Sequence, residues 1–278
     1  MKYTLNNNQN QSKKQKQKLS FNSRCCLCLI PSFLGMIVFF IIPYLRVLYY
    51  SFIDNQFRKN FIWFHNYVTT LRNQYFQLAM KNSLLLIIIG VPILIALAII
   101  LSLALAFGLK RVPKLRDAFI FPMLIPTAGI VLIWQQLFQG FATALPIYLL
   151  FIWKNIGICI ILLTAAITTM EESVFEAAKM DGAKTVILHK NITIPMLSPT
   201  IFFTVLLSIV NSFKIFKESY LYYGNKYPPD HSYTLQFYMN NNFLKFDYQS
   251  LATSSILTSL IVFLIIIAGL WMQRRFQS

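Results

Sequence analysis

The chain has 278 residues, 56% of them hydrophobic and only 12% charged, whereas an ordinary soluble domain carries about 25% charged residues. The apolar residues lie in runs of about 18 or more nearly uncharged positions, long enough for a helix to cross a bilayer, so lipid replaces a single water-soluble core as the expected solvent. A net charge of +16 with 15% aromatic residues invites a nucleic-acid reading. The basic residues, however, sit between the apolar runs, where membrane topology uses them, and that class is set aside.

Residues 1–24, rich in Asn, Gln and Lys, read as a disordered basic cytoplasmic tail, too poor in apolar groups to fold alone. Cys25, Cys26 and Cys28 follow at a membrane boundary. Their Cys-x-x-Cys spacing lacks the second ligand pair of a tetrahedral site, so no metal and no cofactor is expected. The run beginning at Leu27 is too long for a signal-peptide core and should stay as an anchor. Residues 25–278 are expected to form one all-α domain, a polytopic membrane bundle of about six helices. The predicted spans are Leu27–Tyr50, Ser83–Phe107, Ala118–Phe138, Leu145–Thr169, Thr200–Phe213 with some extension, and Ser254–Met272. Six spans put both termini on one side. Placing them in the cytoplasm collects the basic tail, Lys110, Arg111, Lys114 and Arg116 of the second loop, Lys179, Lys184 and Lys190 of the fourth, and Arg274 and Arg275 on that side, as the positive-inside rule favours. Pro122 and Pro126 fall in one span, where each removes a backbone bond that neighbouring helices or water must replace.

The fourth loop, about residues 171–199, holds four of the nine acidic residues. Glu172–Met180 reads as a helix of good formers. Asp181-Gly182 then ends it, because Gly182 can take the left-handed conformation that terminates helices. A second short helix is expected from Ala183 to about Asn191, stopped by Pro195 before the fifth span. In this helix–turn–helix, Val174, Phe175 and Ala178 form an apolar surface, and the small Ala177 and Ala178 allow another body to approach closely. From spacing alone that surface either docks a partner or caps the bundle.

The pattern Glu176-Ala177-Ala178, then Gly182 after three residues, then Ile192-x-Ile194-Pro195 after nine more, resembles the EAA loop of binding-protein-dependent ABC importer permeases. That family ends the pattern in Ile-x-Leu-Pro, from which Ile194 departs. Further residues, among them Pro43, Ser51-Phe52, Asn66-Tyr67, Lys81-Asn82-Ser83, Trp134, Trp153-Lys154 and Ser198-Pro199-Thr200, resemble the maltose-type and glycerol-phosphate-type sugar branch. The outer connection Gln139–Ala144 is shorter than that branch usually has. The resemblance implies a subunit in the plasma (inner) membrane that moves a sugar or sugar-phosphate-like solute inward. Besides the membrane lipid that the composition already requires, it implies three kinds of partner: a second homologous permease, an ABC ATPase dimer and an extracytoplasmic solute-binding protein. It also implies that Glu176, Ala177, Ala178, Asp181, Gly182, Ile192 and Pro195 couple the chain to the ATPase. No G-x-x-x-x-G-K-[ST] is present to cradle nucleotide phosphates. This chain is therefore expected to be a transport subunit, not an enzyme, with ATP hydrolysed elsewhere.

For the solute path the candidates are Thr204, Ser208, Asn211 and Lys154. Thr200, Thr204, Ser208 and Asn211 recur at helical spacing and give the fifth span a polar stripe. The stripe serves either a sugar's hydroxyl groups or helix packing, with hydroxyls bonding back to their own carbonyls. Asn211 is too polar for its own helix to satisfy. Lys154, the most membrane-embedded charge, is a functional candidate by position, although a lysine so near the edge can also extend its ammonium to the interface, as can Glu218 and Arg46. Permeases for amino acids, peptides or polyamines remain open alternatives. An ion-coupled secondary transporter would need titratable residues deep in several spans, and the chain has almost none.

Overall fold

The computed structural model describes residues 29–108, 113–224 and 227–277. The predicted tail and the Cys25, Cys26 and Cys28 cluster lie outside the described residues. The described residues bear out the all-α membrane bundle: helices dominate, and the extended pairing among them is an isolated antiparallel bridge between Ile53 and Phe61. Among the described residues five helices are long and apolar enough to cross a bilayer.

The first, α1 (Leu29–Tyr50), buries none of its most apolar stretch within the chain and presents Phe39 and Phe40 outward. Such a surface needs lipid or another subunit against it. After α1 the chain makes a short bend held by polar groups. The Asn66 amide donates to the Ser51 and Ile53 carbonyls at 3.0 and 2.9 Å, and Ser51 Oγ lies 2.7 Å from the Tyr67 hydroxyl. The Ser51 and Asn66-Tyr67 positions thus close one turn.

Helix α2 (His65–Arg72) leads into α3 (Gln74–Phe107). The latter begins nine residues earlier than predicted, because Asn73 caps it, its side chain accepting from the Tyr75 and Phe76 amides. Its added turns are not apolar enough to signal a span. They are helical because Phe76 and Ala79 are fully buried against Leu235, Phe237 and Tyr238 of α11 (Leu235–Leu244). The Asn82 amide donates to the Asp230 and Tyr233 carbonyls at 2.5 and 2.9 Å, and Ser83 Oγ accepts from the Leu235 amide at 2.9 Å. Leaving such buried groups unpaired would cost about 1–3 kcal/mol each, so Asn82-Ser83 pins the segment 230–235 to α3. Burial pushes the Tyr233 phenol up to about 12, and the neutral hydroxyl accepts a 3.1 Å bond from Asn241.

The predicted third span is not one helix. It is α4 (Pro113–Leu124) and α5 (Thr127–Leu137), interrupted at Ile125-Pro126. Pro122 is tolerated inside α4, while Pro126 takes an extended ψ of 133° and precedes the new helix. Helix α6 (Leu145–Thr168) ends one residue short of the predicted boundary. It forms the centre of the core, with Leu150, Phe151, Ile160 and Leu163 packed with Leu94 and Ala98 of α3. The remaining elements are α7 (Glu172–Met180), α8 (Thr185–Leu188), α9 (Ile194–Lys214), α10 (Phe216–Tyr223), α11, and α12 (Tyr248–Gln277), which lies against α1, α2, α9 and α11.

Candidate functional site: an interhelical loop and a polar cavity

The loop between the fourth and fifth spans is built by its C-terminal cap. Gly182 has φ +76°, its amide donates to the Lys179 carbonyl at 3.0 Å, and the Ala183 amide donates to the Ala178 carbonyl at 3.0 Å. These two bonds are a Schellman cap, with Gly182 in its left-handed position. The three-residue interval between Ala178 and Gly182 is therefore geometric: Ala178 supplies the carbonyl that the returning chain closes on. Phe175, Ala178 and Leu188 are buried together with Ala183 and Ile192 beside them, and the Phe107 ring at the end of α3 lies 5.3 Å from Phe175, edge to face, and 4.8 Å from His189.

Two expectations need correction here. Phe175 and Ala178 are not an outward docking face, because they fill the inside of the turn. The exposed face consists instead of Glu176, Ala177, Asp181 and Gly182 with Met180, Val186 and Ile187, of which Met180 is 89% and Val186 77% exposed. Nor does Pro195 stop a second helix. Helix α8 passes through one wide turn, His189–Thr193, directly into α9, with Pro195 in the first turn. At that turn the Ile194 amide bonds back five residues to the His189 carbonyl, so the ladder changes register just where proline has no hydrogen to give. The loop's second limb and the fifth span are one lever.

The polar cavity lies where two helices break. Thr127 starts α5 after the Pro126 interruption, and Glu218 lies in α10 just past the turn at Ile215 that separates it from α9. Lys154 of α6 pairs with the Glu218 carboxylate, and Thr127 Oγ1 stands 3.4 Å from the Lys154 ammonium and 3.5 Å from Glu218 Oε1. The Glu218 side chain is 5% exposed and that of Lys154 22%, so Lys154 turns inward to a partner instead of out to the interface. Beside the pair opens a cavity of about 420 Å³, lined by Lys154, Asn155, Asn211, Lys214 and Glu218 over an apolar floor that includes Leu207 and Ile215.

The structure thus brings Lys154 and Asn211 to one cavity. It places Thr204 and Ser208 elsewhere, buried against α6, with their hydroxyls donating to the Thr200 and Thr204 carbonyls at 2.6 and 2.8 Å and Ser208 lying 3.7 Å from Cys159 Sγ. Glu218 is the cavity group that sequence reading did not connect. The available signal was one acidic residue at the end of the fifth span facing one lysine in the fourth.

Residues 114–278 match the family described as the binding-protein-dependent transport system inner membrane component. The chain is 27% identical over 273 residues to the arabinooligosaccharides transport system permease protein AraP of Bacillus subtilis, covering 85% of this chain and 83% of that protein. It is 26% identical over 248 residues to the lactose transport system permease protein LacF of Rhizobium radiobacter, covering 78% and 82%. The fold matches a chain of a crystal structure of a bacterial ABC transporter involved in the import of the acidic polysaccharide alginate. That match has a TM-score of 0.75 at 19% identity and covers 95% of this chain and 100% of the other. The matched segment spans the broken third helix, the capped loop and the cavity, and the chain belongs to the binding-protein-dependent transport system inner membrane components, as a transport subunit and not an enzyme.

Proposed function

We propose that this permease passes a saccharide or saccharide-derived solute into the cell through a path that includes the Lys154–Asn211–Glu218 cavity. In this reading the loop 171–199 docks on an ABC ATPase dimer, and a second permease of related fold completes the membrane channel. An extracytoplasmic binding protein delivers the solute, and both termini are cytoplasmic. The observation that carries the solute class is the match, over most of both chains, to permeases named for arabinooligosaccharides and lactose. The cavity chemistry supports it. The Asn155 and Asn211 amides and the paired charges can hydrogen-bond hydroxyl groups, and the apolar floor suits the C–H faces of a sugar ring. The loop's exposed apolar patch beside Glu176 and Asp181 supports a docking role, because it is presented on a lever continuous with the fifth span. ATPase closure on that loop would tilt α9 as a rigid body and change the cavity between its two accesses.

The test is reconstitution of the whole importer in proteoliposomes with ATP inside. Labelled arabino-oligosaccharides and lactose are offered alongside an amino acid, a dipeptide and a polyamine. ATP-dependent accumulation of a saccharide is the expected result. Accumulation of one of the other solutes instead would move the permease to that class.

A further inference from the structure

A second cavity, of about 620 Å³, lies between α3 and α6, away from the polar cavity. One wall is the stripe Lys81, Leu85, Ile89 and Ile93, recurring at intervals of four, and the other includes Leu149 and Ile152. The groove opens sideways, since Ile89, Ile93 and Leu149 are exposed. From Lys81 to Ile93 the helix rises about 18 Å at 1.5 Å per residue, close to one leaflet's half of a hydrocarbon core about 30 Å thick. Its polarity runs from one end to the other. Lys81, Asp230 and His231 line the mouth, and the deep end is aliphatic. The Asn82 amide is already engaged with backbone carbonyls, so the groups free for a ligand are an ammonium, a carboxylate, an imidazole and the Tyr148 phenol. Among the described residues neither Lys81 nor Asp230 is in an ion pair.

We propose that this groove binds a glycerophospholipid whose headgroup carries hydrogen-bond donors besides its phosphate. An acyl chain lies along Leu85, Ile89 and Ile93. The phosphate meets Lys81 and His231, and the headgroup's ammonium or hydroxyl groups meet Asp230. A saccharide would leave the aliphatic end wet or empty. A helix from another subunit would have to bury the charged mouth, at the cost of desolvating it. In the proposed orientation the lipid belongs to the outer leaflet.

The importer complex, purified in detergent, is incubated with an equimolar mixture of phosphatidylethanolamine, phosphatidylglycerol and phosphatidylcholine of identical chains. Retained lipid is counted by native mass spectrometry. Phosphatidylcholine has no headgroup donor, and its retention is expected to be about tenfold lower, as for a lost hydrogen bond to a charged group. Lys81→Gln should weaken all three. Asp230→Asn should abolish the discrimination while sparing the fold, since Asn82 holds the Asp230 backbone and not its carboxylate. Ile93→Trp, which fills the deep end, should displace the lipid. Equal retention of the three lipids by the unaltered complex overturns the proposal, as does undiminished retention in Ile93→Trp. So does an Ile89→Cys that resists lipid-soluble thiol reagents in the complex but reacts in the separated subunit, which would place a protein helix in the groove. None of these readouts depends on which solute is carried.

Discussion

Glu218 and Lys154 owe their positions to each other. A carboxylate 5% exposed and an ammonium 22% exposed are tolerable only as a pair, and removing one partner leaves the other charge in a low-dielectric site. Glu218→Gln is therefore expected to lower the thermal midpoint of the purified complex by several degrees. The combined Lys154→Met, Glu218→Leu variant should recover most of that loss, because replacing both charges removes the desolvation cost as well. A double variant as unstable as the single one would show that the pair is not the source of the effect. At Gly182 the governing quantity is backbone strain: a φ of +76° costs an ordinary L-residue about 1–2 kcal/mol, less for asparagine. Gly182→Val should release the cap and remove the stimulation of ATPase activity by loaded binding protein, while Gly182→Asn keeps most of it. Full stimulation in Gly182→Val would separate this turn from coupling.

At the scale of elements, the loop's two faces predict different outcomes. Ala177 points out of the Schellman-capped helix and Ala178 points in. Ala177→Trp should leave the permease folded, with an unchanged thermal midpoint, yet reduce co-purification of the ATPase several-fold. Ala178→Trp should destabilise the loop itself, since its site is closed by Phe175 and Leu188. If Ala177→Trp retained the ATPase fully, the docking surface would have to lie elsewhere on the loop. The same contrast shows what was legible in the sequence. Helix α7 falls on its predicted limits because good helix formers run up to Asp181-Gly182, a local signal, and α6 nearly so because its apolar run is long and broken only by Lys154-Asn155. The first nine residues of α3 were not legible, because Phe76 and Ala79 become core only through α11, more than 150 residues away. The break at Pro126 was half legible: two prolines lay in the span, and propensity does not say which is absorbed and which interrupts. The Lys154–Glu218 pair joins helices 64 residues apart, beyond any periodicity, so only the type of each residue pointed to it.

At the scale of the whole molecule, the distribution of basic residues predicts which end of the bundle faces the cytoplasm. The second loop is short and basic, with Lys110, Arg111, Lys114 and Arg116, and the fourth adds Lys179, Lys184 and Lys190 beside four acidic residues, whereas the first and fifth carry Arg58, Lys59, Arg72, Lys214, Lys217 and Lys245. Because the third span is a pair of broken helices, helix length does not count the crossings, and the orientation needs a chemical test. Thr70 is a poor reporter since it is buried at the end of α2. Phe57, 96% exposed in the first loop, and Met180, 89% exposed in the fourth, are good ones. Each is replaced by cysteine in a chain lacking Cys25, Cys26, Cys28 and Cys159, and intact cells, or spheroplasts if an outer membrane is present, are treated with a membrane-impermeant maleimide. Six crossings with a cytoplasmic N-terminus put position 57 outside and position 180 inside, an odd number of spans apart. Position 57 should then label directly, and position 180 only after permeabilisation. Labelling of position 180 in intact cells with protection of position 57 would invert the bundle. It would also put the capped loop on the wrong side of the membrane for any ATPase, so this labelling tests the coupling proposal as well as the topology.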